Sequence, residues 1–225
     1  AWFIDNVCIT EQPANDIELA YGVVSHNGTG EEYGRVPTAQ IANSEISYEA
    51  LVYNFGTDAQ EEINTTLEVV EFEGFDADDG TPIYGDTDVY TSFGPDNIYG
   101  LDADGFVDFT TPAYGPLASN DYRYFDMMVD ASAMGPDNYI AYFTAGTEGD
   151  YLGGENDYDN YAARQFAITT NEYSTDGIDV YYDYESTRMG TGSFEGGADG
   201  FMMFSYYDVT SATEVTGARI LFDSY

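Results

Sequence analysis

Apolar and polar residues alternate along most of this chain with a period of two, the signature of half-buried β-strands. The clearest stretch is Arg35–Phe72, RVPTAQIANSEISYEALVYNFGTDAQEEINTTLEVVEF. Ile46, Tyr48, Ala50 and Val52 fall on one face of an extended segment. After the polar break Gly56–Glu62, Ile63, Thr65, Leu67 and Val69 do the same. The pattern predicts two strands and one turn, a hairpin whose apolar face covers a core.

The same alternation predicts a strand over Asp16–Ser25, a pair over Arg123–Asp130 and Asn138–Ala145, and another over Tyr161–Thr170. In Arg123–Asp130, Phe125, Met127 and Val129 share one face. Between Phe72 and Arg123 the text is rich in Gly, Pro, Asp and Asn, which predicts loops with short strands near Asp88–Phe93 and Gly105–Thr110. Residues 15–170 contain no 3.6-residue stripe of a long helix. Strands at short spacing throughout point to a β-sandwich. A boundary is expected near Asn171–Gly177. Beyond it IDVYYDYES, FMMFSYYDV and TEVTGARILF read as three further strands, the first two separated by the Gly-rich MGTGSFEGGADG. Three strands are too few for a sandwich of their own, so they must pack on something. Ala1–Thr10, AWFIDNVCIT, reads as a strand without a preceding turn, a candidate to complete that sheet or to be donated to another chain.

Composition changes the picture chiefly through charge. The chain of 225 residues carries 42 Asp+Glu against five basic residues, all Arg, for a net charge of −37. Such a charge repels phosphates and anionic lipid, so nucleic acid and membrane surfaces are disfavoured as partners and cations are favoured. The acidity has two readings, solubility in a salty medium and ligands for Ca²⁺, and the two are compatible. Twenty-two Tyr and 14 Phe suit sheet faces, since a Tyr ring packs while its hydroxyl stays wet.

Cys8, the only cysteine, cannot form an internal disulfide, and with His26 as the only histidine a zinc site is not expected. No apolar run is long enough to span a membrane, and AWFIDNV has neither the basic region nor the core of a signal peptide. The expectation is a mature or internal piece of an exported protein, with a cytosolic chain as the alternative. Two sequons, at Asn27 and Asn64, favour export. Asn64 is the better candidate, because alternation puts it with Thr66 and Glu68 on the face opposite Ile63, Thr65 and Leu67.

The segments RVPTAQI…ALVYNFGTDAQEEINTTLEVVEF and ENDYDNYAARQFAIT together resemble the CARDB-like, immunoglobulin-like adhesion modules of secreted multidomain proteins of Bacteroidota. In that pattern a strand ends in an Asn-x-Gly turn, here Asn54-Phe55-Gly56, and the last strand follows an acidic run, here Asp157-Tyr158-Asp159-Asn160. AWFIDNVCIT resembles the closing strand of a jelly-roll module, and the segment from Glu172 to Leu221 the opening of another. The resemblance implies an all-β chain in three parts: a terminal jelly-roll-like strand (1–13), an immunoglobulin-like or CARDB-like sandwich (14–171), and opening strands of a second jelly-roll-like module (172–225).

Candidate chemistry is confined to acidic loops. Asp102 and Asp104 alternate before a turn glycine and can converge on one hard cation, although the full EF-hand register is absent. Asp76, Asp78 and Asp79 form a similar group, and Asp150, Glu155, Asp157 and Asp159 sit in a Gly-rich loop able to wrap an ion. For each, a plain acidic turn is the competing reading. His26 lies in a polar loop without a nucleophile motif, and among 42 acids a pair at glycosidase spacing carries no information, so no catalytic residue is assigned. Cys8 reads as a small packed residue, and the tyrosines of Tyr181–Tyr184 as sheet packing rather than sugar stacking.

The sequence therefore predicts a non-enzymatic, extracellular or cell-surface β protein, structural or adhesive. It is expected to assemble with copies of itself or adjacent β modules into a glycosylated, calcium-stabilised filament by strand exchange. An accessory module of a secreted hydrolase, a peptidase, and a carbohydrate-binding module are the alternatives. Glycans are further candidate partners, whereas nucleic acid and membrane insertion are not expected.

Overall fold

The computed structural model describes residues 11–25, 34–41, 45–61, 63–77, 80–88, 98–101, 107–112, 115–131, 134–147, 159–174, 207 and 209–219. Within them the chain forms ten strands: β1 (Ile17–Ser25), β2 (Arg35–Pro37), β3 (Glu45–Asn54), β4 (Asn64–Phe75), β5 (Pro82–Asp88), β6 (Ile98–Leu101), β7 (Val107–Pro112), β8 (Tyr122–Asp130), β9 (Asp137–Gly146) and β10 (Tyr161–Thr169). A short 3-10 turn spans Thr38–Gln40.

Two five-stranded sheets result, ordered β1-β3-β8-β6-β7 and β2-β10-β9-β4-β5. In the first, β1-β3-β8-β6 reproduces the A-B-E-D order of immunoglobulin domains, and in the second β10-β9-β4-β5 reproduces G-F-C-C′. Such domains also carry a tyrosine near the start of strand F whose hydroxyl bonds back to the chain just upstream. Here Tyr139, near the start of β9, donates from its hydroxyl to the Gly135 carbonyl at 2.9 Å. Two residues on, where antibody domains place a disulfide cysteine, stands the buried Ala141. The sandwich is immunoglobulin-like.

The Arg35–Phe72 stretch is thereby corrected. Its strands do not form a hairpin: β3 pairs with β1 and β8, β4 pairs with β9 and β5, and they lie in opposite sheets. The physical reason is that both apolar faces must be covered, and crossing between sheets lets each cover the other. Ile46, Tyr48, Ala50 and Val52 from β3 are buried, as are Thr65, Leu67 and Val69 from β4 and the preceding Ile63. Tyr48 lies between Phe143 and Phe166, at centroid separations of 6.5 and 6.3 Å, and Tyr139 stacks on Phe166 at 5.5 Å. Of the residues expected to share a face on β8, Phe125 and Val129 are in the core.

Strand β1 reverses its parity midway. Leu19 pairs with Val52 but Tyr21 pairs with Leu51, so Ala20 is an extra, bulged residue. Before it Ile17 and Leu19 join the core, and after it Val24 does. Gly22 falls where β1 meets the other sheet, and a Cβ there would stand 2.6 Å from the Phe143 ring.

The crossover from β3 to β4 is held by Asn54, which is fully buried. Its Nδ2 donates to the carbonyls of Asp58 and Leu117, each at 2.9 Å, and its Oδ1 accepts from the Gly56 amide at 2.9 Å. Gly56 also donates to Asp16 O, and a Cβ on it would lie 2.6 Å from Ala14 O. The Asn-Phe-Gly motif is thus a knot joining three segments: the β3 exit, the approach to β1 and the loop before β8.

At the opposite end Gln40, also buried, binds the segment 209–219. Its Oε1 accepts from the Thr210 amide at 3.0 Å, and its Nε2 donates to Ser211 O at 3.1 Å. That segment contains the start of TEVTGARILF, expected as a strand; residues 213–219 are exposed and carry no strand assignment.

Candidate functional site

Residues alternating outward from the core of the second sheet build an aromatic face. On β9, Tyr139 and Tyr142 are three apart and so point to opposite sides, Tyr139 into the core and Tyr142 out. Tyr142 stands in register with Glu68 of β4 and Ala163 of β10. Tyr84 of β5 meets its ring edge-on at 6.1 Å, and Tyr161 of β10 stacks on its other side at 5.7 Å. The Tyr84 and Tyr142 hydroxyls are hydrogen-bonded to each other. Tyr84 and Tyr161 keep 46 % and 48 % of their surface exposed. Beside Tyr142 on the same face, a small apolar cluster of Val70, Phe72 and Ile140 packs against it.

Two phenols of this row, Tyr142 and Tyr161, are raised above the usual range. Burial raises the Tyr142 hydroxyl first, then its bond to Tyr84 and, more weakly, the Glu68 charge. Tyr161 is raised by burial, then by Tyr84 and Glu68. Glu68 therefore acts on both rings. The face presents aromatic surface beside the exposed Glu68 carboxylate.

The outer face of the first sheet holds a different cluster. Glu49 on β3 is 2 % exposed and accepts from Ser47 Oγ at 3.2 Å and from the Tyr124 hydroxyl. Asp126 of β8 stands opposite it in register, with Oδ1 buried and lacking a hydrogen-bond partner. Burial, then the Glu49 charge, push the Asp126 carboxyl up to about 6. Tyr21 and Tyr124 beside it are raised as well, both chiefly by burial.

Of the residues expected to bind Ca²⁺, Asp102, Asp104, Asp78, Asp79, Asp150, Glu155 and Asp157 lie outside the described residues. Asp76 is exposed at the turn after β4, where its carbonyl accepts from the Gly80 amide at 2.9 Å. Asp159 precedes β10 with its Oδ1 buried and without a hydrogen-bond partner. Among the described residues no group of three His, Cys, Asp or Glu side chains is placed to hold a metal ion. Asn64 opens β4, opposite Gly146, while Asn27, His26, Cys8 and Tyr181–Tyr184 lie outside the described residues. No helix of the described residues is long and apolar enough to cross a membrane.

Sequence reasoning passed over Tyr84, Tyr142 and Tyr161. The signal for Tyr142 was present in NYIAYF, where counting by twos from the core-facing Tyr139 turns Tyr142 outward. That Tyr161 of the neighbouring β10 and Tyr84 of β5, one strand beyond β4, meet it depends on strand order, which alternation does not encode.

No family model matches the chain, and no curated protein matches it. Among solved structures, it is similar to the CARDB domain of the PF1109 protein from Pyrococcus furiosus, crystallised in complex with di-metal ions. Identity there is 11% over 75% of this chain and 100% of that one, with a TM-score of 0.37. The solution structure of the same domain matches at 12% identity over 71% of this chain and 100% of that one, TM-score 0.37. A β-glucosidase from Listeria innocua, in complex with isofagomine, matches at 8% identity over 69% of this chain and 16% of that one, TM-score 0.34. The fold assignment rests on the strand order and the tyrosine corner.

Proposed function

We propose that this chain is a non-catalytic adhesive β module of an extracellular or cell-surface protein, and that the tyrosine face of the second sheet is its contact surface. The observation that carries the reading is the row Tyr84–Tyr142–Tyr161, flanked by an apolar cluster and left half-exposed at both ends. Aromatic rings of this kind concentrate binding energy at protein surfaces, because they bring large area with little conformational freedom to lose. Beads coated with the chain are expected to adhere to protein-coated or polysaccharide-coated surfaces, and beads carrying Tyr84→Ala and Tyr161→Ala to adhere far less. Equal adhesion of the two, or turnover of peptide or glycoside substrates by the purified chain, would overturn it.

Assembly by strand exchange and stabilisation by Ca²⁺ belong to the same proposal. Support for strand exchange comes from β2, which covers only Ala167–Thr169 of β10; among the described residues no strand pairs with the other edge of residues 161–166. Support for a cation comes from Asp159, whose buried, unbonded oxygen closes the acidic loop expected to wrap an ion. Light scattering and thermal melts with Ca²⁺ and with chelator test both. A monomer in every condition and an unchanged melting temperature would remove these elements and leave the adhesive reading standing.

A further inference from the structure

We infer that the tyrosine row with Glu68 recognises an extended, lysine- or arginine-bearing protein segment, with cationic side chains seated on neighbouring rings. The inference rests on the adhesive reading and names the partner's chemistry.

Three observations converge on a cationic occupant. The rings of Tyr84, Tyr142 and Tyr161 carry the negative faces of their π-systems, and burial raises the Tyr142 and Tyr161 hydroxyls above the usual phenol range. The Glu68 carboxylate stands in register beside Tyr142 and is felt by Tyr161 as well. The one basic residue that the register of the described strands puts on this face, Arg35, is buried at its far edge and paired with Glu172 at 2.6 Å. Among the described strands the register places no other basic residue on the face. With a net charge of −37 and no Lys in the chain, a second copy is a poor supplier of cations and a basic partner a favoured one.

Spacing makes the segment extended. Successive rings are 6.1 and 5.7 Å apart. Side chains on one face of an extended strand repeat every two residues, about 6.6–6.8 Å. Basic residues at alternate positions thus reach adjacent rings with small adjustment, each within about 6 Å of a centroid.

The test is titration of the full chain, followed by NMR and calorimetry, with a five-residue peptide of alternating glycine and lysine and with a neutral linear glucose hexasaccharide. The peptide is expected to shift resonances of Tyr142 and Tyr161. Tyr161→Ala should weaken it about three- to five-fold, the loss of one exposed cation–π contact. Tyr161→Phe, which keeps the ring, should retain affinity, and Glu68→Gln should weaken binding and flatten its salt dependence. Circular dichroism of each variant reports that the sandwich is intact. Unchanged peptide affinity in a folded Tyr161→Ala would show that bulk acidity alone holds the peptide, and would overturn the inference. Hexasaccharide binding at the row without peptide binding would overturn it in favour of a glycan while sparing the adhesive reading. Silence of the row towards both probes, together with unchanged bead adhesion in the tyrosine variants, would overturn both.

Discussion

Replacing Asn54 by alanine removes three hydrogen bonds from a side chain with no exposed surface. The cost depends on what the abandoned partners do next. Leu117 O still accepts from the Gln60 amide at 2.9 Å, Asp58 O from Gln60 Nε2 at 3.1 Å, and the Gly56 amide still donates to Asp16 O at 2.9 Å. None is orphaned, so the full penalty of an unsatisfied buried group does not apply. What remains is the net value of three bonds, about 1 kcal/mol each, giving a loss of about 3 kcal/mol. That is a large share of the roughly 5–15 kcal/mol that stabilises a typical domain. Asn54→Asp sharpens the test: the acceptor for Gly56 survives, but an oxygen now faces the carbonyls of Asp58 and Leu117. It should cost at least as much as alanine, and more as pH rises through the carboxylate range. Urea denaturation reads both variants, with an unchanged m-value expected. A loss below about 1 kcal/mol for Asn54→Ala would refute the view that this residue ties the crossover to the loop before β8.

Two further outcomes follow from the packing and the charges. Gly22→Ala places a methyl 2.6 Å from the Phe143 ring and should lower stability by about 1–3 kcal/mol, seen as a shift of the urea midpoint; a neutral effect would mean that the two sheets are less closely apposed there. Asp126, pushed up to about 6 against about 3.9 when unfolded, holds its proton more tightly in the native state. Its contribution is therefore complete below about pH 4 and is lost as pH rises through about 6. The shift corresponds to about 3 kcal/mol unscreened, and to about 1 kcal/mol for a carboxyl this accessible to water. Asp126→Asn should gain that amount at pH 7.5 and nothing at pH 4; parallel pH–stability curves for variant and parent would refute the assignment.

The inner faces of β3, β4 and β8 were legible from alternation alone, because a period of two states which side of a strand is apolar. It does not state which sheet the strand joins, and so the crossover between β3 and β4 read as a hairpin. The bulge at Ala20 was invisible for a related reason: a one-residue parity change in IELAYGVVS still reads as an apolar strand. Glu49 and Ser47 alternate outward and look solvated, yet both are buried, so β3 is covered on both faces. Gln40 escaped because its partners are some 170 positions away. The tyrosine face was half-written in NYIAYF and completed only by strand order. The Asn54-Phe55-Gly56 turn is legible in the sequence, and the hydrogen bonds of Asn54 give it a physical cause.

Ala141 occupies the place where antibody domains close their sheets with sulfur, and Cys8 is the chain's only thiol. The two layers are therefore joined by packing and hydrogen bonds alone. Reducing agents have no intrachain bridge to break, and oxidising ones no pair to join. A fold of this kind reaches the same native state in a reducing compartment as in an oxidising one, so it can be produced, refolded or fused to other modules without disulfide catalysts. No intrachain disulfide in its core depends on the redox state of the medium.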